Sequence, residues 1–176
     1  MSDNNDSTTA TVRHLRMPQT PVGPIVLVAD GDSLAGVYMH EHRHAPEVTQ
    51  FGPEIADDPF LVGVARQLSE YFAGEREMFD VPVSPRGTDF QRLVWDGLRE
   101  IPYGQTWTYA QLARHIGQPT ASRAVGLANG RNPVSIVVPC HRVVGSDGSL
   151  TGYGGGLDNK RALLDLERSH TDSALF

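Results

Sequence analysis

The sequence predicts an α/β (α+β) protein in which sheet and helix are segregated along the chain. Three observations predict it. Between Val12 and His40, short β-branched and alternating segments are separated by Pro, Gly and Asp turns, the pattern of a small antiparallel sheet. From Thr88 onward the apolar spacing turns helical. Between them, Pro82-Val83-Ser84-Pro85-Arg86-Gly87 reads as a linker. The expected organisation is a disordered tail at 1–11, an N-terminal α/β unit at 12–85, a mostly helical unit with a helix-turn-helix at 86–170, and a loose tail at 171–176.

Met1 to Thr11 is rich in Asp, Asn, Ser and Thr and lacks an apolar run, so it reads as disordered rather than as a signal peptide. Val12–Met17 and Val22–Ala29 are expected strands, and Val22–Tyr38 an expected hairpin turning at Asp30-Gly31-Asp32. Leu34–His40 continues the sheet. Phe60, Leu61, Val64, Ala65, Leu68 and Phe72 have helical spacing within a helix expected over Ile55–Ala73, ended by Gly74. Phe79–Val83 is an expected last strand. His40, His42 and His44 alternate along a strand edge, which would put them on one face. Solvated histidines are the expectation there rather than a metal site, because no acid or thiol partner is evident.

In the second half, Thr88 is the expected N-cap of a helix whose stripe is Phe90, Leu93, Val94, Leu98 and Ile101. Thr108-Tyr109-Ala110-Gln111 fits a capping box opening a helix to about Ile116. Gly117-Gln118-Pro119 turns the chain, and Thr120 is the expected cap of a helix to about Asn129. This second helix is thin, rich in Ala, Ser and Gly, with Arg123 in its first turn. Two such helices and a Gly-containing turn make a helix-turn-helix signature. Asp158 is the expected cap of a last helix burying Leu163, Leu164 and Leu166.

Composition narrows the function. No apolar run approaches the length of a membrane span. One cysteine in 176 residues forms no internal disulfide, so a reducing compartment, the cytoplasm, is expected. The net charge of −6 disfavours nucleic acid as a bulk figure. Its distribution points the other way: Ile101 to Ser146 holds Arg114, Arg123, Arg131 and Arg142 and no Asp, Glu or Lys, the local sign a phosphate-facing surface needs.

The lone cysteine lies in Asn132-Pro133-Val134-Ser135-Ile136-Val137-Val138-Pro139-Cys140-His141-Arg142-Val143-Val144. Pro139 should end any strand through Ile136–Val138, which places Cys140 at the end of an apolar segment. A lone cysteine is often a small buried hydrophobe. The adjoining histidine and arginine favour chemistry, since the thiolate is the nucleophile and a base or cation produces it.

Pro139-Cys140-His141-Arg142-Val143 resembles the acceptor-cysteine motif of the O6-alkylguanine-DNA alkyltransferases, or methylated-DNA–protein-cysteine methyltransferases. The resemblance runs from about Gly87 to Glu167 through Ile101-Pro102-Tyr103-Gly104, Thr108-Tyr109, Ser122-Arg123-Ala124-Val125-Gly126, Arg131-Asn132-Pro133 and Gly152-Tyr153-Gly154-Gly155-Gly156-Leu157. It implies a ribonuclease-H-like N-terminal unit and DNA repair by irreversible, single-turnover alkyl transfer from O6-alkylguanine, and O4-alkylthymine, to Cys140. The implied partner is double-stranded DNA, entered through the minor groove with the damaged base flipped out, at a cost of a few kcal/mol. The implied protein is monomeric and uses no cofactor and no metal. Some members hold zinc through cysteine and histidine in the N-terminal unit; this chain has no cysteine there.

The same resemblance implies the roles of individual residues. Cys140 attacks, His141 takes its proton through a water, and Glu167 orients His141. Tyr109 meets the phosphate and guanine, and Asn132 is the hinge after the recognition helix. Arg123 is the finger that fills the vacated stack. Gln118 and Ser146 touch phosphates, with Arg131 beside them as a DNA contact. Val143, Tyr153 and Gly154 line the base pocket, Gly154 standing where some members have serine. Three other readings compete. An alkyltransferase-like lesion binder lacks the acceptor cysteine. A major-groove regulator needs long polar side chains on its second helix, and a cysteine hydrolase needs an oxyanion hole.

Overall fold

The computed structural model describes residues 11–173; the tail expected over 1–11 therefore lies outside it except for Thr11. Strands β1 (Val12–Met17), β2 (Ile25–Asp30) and β3 (Ser33–Met39) form an antiparallel sheet in the order β1-β2-β3. Val12 pairs with Asp30 and Ile25 with Met39, with an irregularity between Val28 and Ala29. One face buries Leu15, Leu27 and Leu34 with helix α1 (Pro59–Phe72) through Leu61, Val64 and Leu68. Each such side chain contributes roughly 1.5–3 kcal/mol on burial.

Helix α1 starts four residues later than the pattern suggested. Pro59 fits the first helical position, and the Asp58 carboxylate caps it by accepting from Leu61 N at 2.9 Å while pairing with Arg13. Ile55 instead donates its N–H to His14 O at 2.9 Å. The strand expected at Phe79–Val83 is a single bridge between Leu34 and Val83, since Pro82 has no N–H to extend a ladder. Beyond β3 the chain turns, with Glu41 and His44 at φ +57° and +63°. The three histidines therefore do not line a strand face: His40 and His44 are exposed and His42 is partly buried.

In the second half, α2 (Asp89–Leu98) carries a full capping box from Thr88 and Gln91. Its buried face is Val94, Trp95 and Leu98, and Leu93 is exposed, a rotation from the expected stripe. Trp95 Nε1 donates to Ala128 O at 2.8 Å, fixing α2 against α4 (Ser122–Gly130). Strand β4 (Trp107–Thr108) leads through the Thr108–Gln111 capping box into α3 (Tyr109–His115). Gly117 turns the chain at φ +75°, a left-handed conformation that costs glycine little. Helix α4 begins two residues after Thr120, with Ala121 at its cap position and no side-chain cap bond.

Ile136–Val138 is not a strand. It belongs to a tight turn in which Ile136 takes φ +71°. Strand β5 (Val143–Val144) pairs in parallel with β4. Helix α5 (Leu157–Ser173) begins one residue before Asp158, so that residue lies in the first turn rather than at the cap, and residues 171–173 are helical rather than a tail. Residues 174–176 lie outside the described part. Both halves contribute to one hydrophobic core, and Val37 N donates to Pro133 O at 2.9 Å across them. Among the described residues, no helix is long and apolar enough to cross a membrane.

Candidate active site

The turn that precedes Cys140 is held by a side chain. Asn132, buried, accepts from Val134 N at 3.0 Å and donates to Val138 O at 2.8 Å. The amide thus replaces strand pairing for a segment whose backbone otherwise has no ladder. It delivers Pro139 and then a single 3-10 turn, Cys140–Arg142. Asn129 Nδ2 reaches the Cys140 carbonyl at 3.4 Å. Val143 N also donates to that carbonyl, closing the turn, and β5 then sets Val143 beside Trp107.

Cys140 is 3 % exposed and its thiol is free. Burial pushes the thiol up, against the opposing pull of Asn132, the Lys160 charge and Ser135. His141 is fully buried, and its Nε2 lies 2.7 Å from Glu167 Oε1. Its Nδ1 is buried with no protein partner. Burial lowers the imidazole's proton affinity and Glu167 raises it, with burial prevailing. The permanent charge facing Glu167 is therefore the Arg142 guanidinium rather than His141.

Glu167 is the centre of the buried network. Arg142 donates from Nη2 at 2.9 Å to Oε1 and from Nε at 3.0 Å to Oε2, and from Nη1 to Ile101 O at 2.7 Å. Tyr71 Oη donates to Oε1 at 2.8 Å and Gly104 N to Oε2 at 3.1 Å. Burial alone would raise this carboxyl, but the His141 hydrogen bond and the Arg142 charge hold it far below the usual carboxylate range. Arg142 is thus buried and committed to Glu167, leaving Arg114, Arg123 and Arg131 as the exposed arginines of the acid-free window.

Tyr109 Oη donates to Thr151 O at 3.0 Å. The same carbonyl accepts from Lys160 Nζ at 2.7 Å. Val143 and Tyr153 are buried, and Gly154 is partly so. The Gly154 carbonyl accepts from Arg43 N at 2.8 Å, so the loop after β3 pins the glycine segment. A side chain added at Gly154 would meet His42 Nε2 at 2.8 Å. Arg123, Gln118 and Ser146 are exposed. Arg131 is exposed too and lines a cavity of about 500 Å³ with Tyr38, Phe51 and Arg86.

The fold therefore gathers Cys140, His141, Glu167, Asn132, Tyr109, Val143 and Tyr153, residues drawn from five separate stretches, and leaves the four polar surface residues outside. Sequence reasoning missed three participants. Tyr71 continues the Leu61, Val64, Leu68 stripe of α1, which signals burial but not its partner. Arg142 reads in the sequence both as a cation beside the nucleophile and as one of the four arginines of the acid-free window, but nothing there points to Glu167 as its partner. Lys160 shares the buried face of α5 with Leu163, Leu164 and Glu167, and two ionisable residues on one apolar stripe were the available signal. Among the described residues, no group of three His, Cys, Asp or Glu side chains is arranged to hold a metal.

Residues 14–85 match the model for the 6-O-methylguanine DNA methyltransferase ribonuclease-like domain, and residues 89–169 the model for its DNA binding domain. A methylated-DNA–protein-cysteine methyltransferase of Mycobacterium tuberculosis is 49 % identical over 162 residues, 92 % of this chain and 96 % of that one. One from Methanosarcina acetivorans is 51 % identical over 151 residues, 86 % and 96 % of the two chains. Among solved structures, the M. tuberculosis O6-methylguanine methyltransferase superposes with a TM-score of 0.82 at 48 % identity, covering 94 % of this chain and 99 % of that one. The M. tuberculosis OGT in complex with DNA superposes at 0.81 with 48 % identity, covering 90 % and 94 %.

Proposed function

The chain belongs to the 6-O-methylguanine DNA methyltransferase family, and from that premise we propose that it repairs O6-alkylguanine in DNA by moving the alkyl group onto Cys140, once per molecule. The observation that carries this reading is a buried Cys140 adjoining a buried His141 that is hydrogen-bonded to Glu167, with Glu167 locked by Arg142. In the free protein the thiol keeps its proton because it is buried. A base must therefore remove it during reaction. His141 Nδ1 is the nitrogen available, acting through one water, while Nε2 is held by Glu167. This is the orienting logic of a nucleophile–base–carboxylate triad.

The thiolate attacks the alkyl carbon. A C–S bond forms, the C–O6 bond breaks, and its electron pair stays on the guanine oxygen. Tyr109 donates to the departing base as that charge develops. The thioether product has no second thiol to receive the group, because Cys140 is the sole cysteine. The exposed Arg123, Gln118, Ser146 and Arg131 are the DNA contacts, with Arg123 occupying the space left by a base flipped through the minor groove. Val143, Tyr153 and Gly154 receive that base. O4-alkylthymine is the secondary substrate. The reading also carries a monomer acting in the cytoplasm, with residues 12–85 and 86–170 as its two units.

The non-catalytic lesion-binding alternative is disfavoured by Cys140 itself. Mass spectrometry after incubation with O6-methylguanine duplex tests the choice. One methyl in place of the thiol hydrogen on the Cys140 peptide is expected, with at most one lesion cleared per protein. Methyl removal by Cys140→Ser, or many lesions cleared per molecule, overturns the reading.

A further inference from the structure

Tyr153-Gly154-Gly155 holds two glycines that backbone conformation does not explain. The left-handed glycines of this stretch are Gly152 at φ +61° and Gly156 at φ +94°, and neither Gly154 nor Gly155 shares that region. Space explains them instead. A Cβ on Gly155 would overlap Met39 Sδ and approach Tyr153 Cε1 at 2.9 Å, and one on Gly154 would meet His42 Nε2 at 2.8 Å. Both of these neighbours belong to the first half of the chain: Met39 ends β3, and His42 lies in the turn that follows. Met39 is buried, 114 positions from Tyr153. Hydrogen bonds hold the two stretches in register. Arg43 N donates to Gly154 O at 2.8 Å. Met39 Sδ accepts from Tyr153 Oη at 3.9 Å and from Asn159 Nδ2 at 3.7 Å, and Asn159 Nδ2 also donates to Gly155 O at 2.8 Å. Met39 N closes the turn by donating to His42 Nδ1 at 3.3 Å.

We propose that Met39 and His42 are positioning residues of the base pocket: they fill the space behind Tyr153-Gly154-Gly155, so that the first half of the chain sets how large an O6 substituent the second half accepts. The proposal rests on the alkyl-transfer reading above, which sets Tyr153 and Gly154 against the flipped base. A wall made of glycine has little stiffness of its own, because glycine has the widest backbone freedom. It stands where its backing stands. Interiors are packed closely enough that one methylene is felt, and an apolar pocket discriminates substrates on that scale. A thioether is a weak hydrogen-bond acceptor but an adaptable filler of irregular space, so Met39 acts by its volume. Neither residue supplies a group to the transfer itself.

Single-turnover rates on duplexes carrying O6-methylguanine and O6-benzylguanine test this, read as the benzyl-to-methyl ratio within each variant, so that a general loss of active protein cancels. Met39→Ala removes the backing and the wall relaxes into the space; the ratio is expected to rise roughly tenfold. Met39→Leu conserves volume and is expected to keep the wild-type ratio although the sulfur is gone. His42→Ala, which unbacks Gly154 alone, should raise the ratio by less than Met39→Ala. Both rates lowered alike in Met39→Ala would leave Met39 an ordinary core residue and overturn the proposal, and a Leu variant that behaves like the Ala variant would overturn the role of volume. Amide hydrogen exchange of the free protein needs no DNA. Gly156 N donates to Tyr153 O at 3.1 Å, and in Met39→Ala this amide is expected to lose more protection than the amides of α2, whose loss reports stability as a whole. Equal losses overturn the positioning role even where alkyl transfer stands. A wild-type protein that clears neither lesion while Gly156 responds as expected overturns the repair reading, and with it the claim about substituent size, so the two failures are told apart.

Discussion

Tyr71 and Glu167 are separated by 96 positions and joined by a buried hydrogen bond of 2.8 Å. The donor comes from α1 in the first half of the chain, the acceptor from α5 near its end. The oxygen that accepts from Tyr71 is the one that His141 Nε2 approaches at 2.7 Å. The N-terminal half therefore touches the carboxylate that holds the proposed base His141, although it supplies none of the groups proposed to react.

Tyr71→Phe is expected to cost about 1–2 kcal/mol, the usual effect of leaving a buried acceptor short of one donor, read by urea denaturation. With one donor fewer, Glu167 holds its charge more strongly toward His141 and raises the imidazole's proton affinity. The acid limb of the single-turnover rate against pH should then move to higher pH. An unmoved limb with lowered stability would reduce Tyr71 to a packing role.

Stability should fall with acid in two ranges. His42 is held down to about 4, first by burial and then by the His44 charge. Between about 6.5 and 4 the unfolded chain binds a proton that the native state refuses, so stability is lost as pH falls through that range. Glu167 is also depressed, from an ordinary value of 4.5. Its contribution is whole above about 4.5 and is lost progressively below it. Urea denaturation across pH checks both, and His42→Gln should reduce the loss in the upper range, to which the buried His141 also contributes, while leaving the lower range unchanged. Arg142→Met, which strands the carboxylate, is expected to cost about 3–5 kcal/mol.

Gly154→Ser should strain the glycine segment, because its new side chain meets His42 at 2.8 Å. A cost of about 1–3 kcal/mol is expected for such overpacking, together with slower alkyl transfer. His42→Ala makes room. The double variant should recover most of the loss, a non-additivity readable in a thermodynamic cycle. Purely additive losses would show that His42 does not set the space there.

Arg123→Ala touches an exposed side chain on α4, so stability should change by no more than about 0.5 kcal/mol. Repair of a lesion in duplex DNA should slow much more than repair of the same lesion in a single strand, where no stack has to be filled. Single-turnover rates on the two substrates decide this, and equal slowing would assign Arg123 to general phosphate binding.

The sequence by itself determined a great deal. Thr88 and Thr108, each with Gln three residues on, fixed two helix starts, because a capping box is a local device. The alternation from Val12 onward carried the three-stranded sheet, and the lone cysteine between proline and histidine marked the site. Local signals misled where a stronger local or distant constraint ruled. Pro59 and Asp58 moved the start of α1, Pro82 left Phe79–Val83 without a ladder, and Asn132 turned Ile136–Val138 into a buckle. Tertiary structure alone decided the polar network. Tyr71, Arg142 and Lys160 are, in sequence, a helix aromatic, a cation beside the cysteine and a cation in the first turns of a helix. Burial turns each into a partner, because a charge removed from water must find its complement wherever the fold brings one.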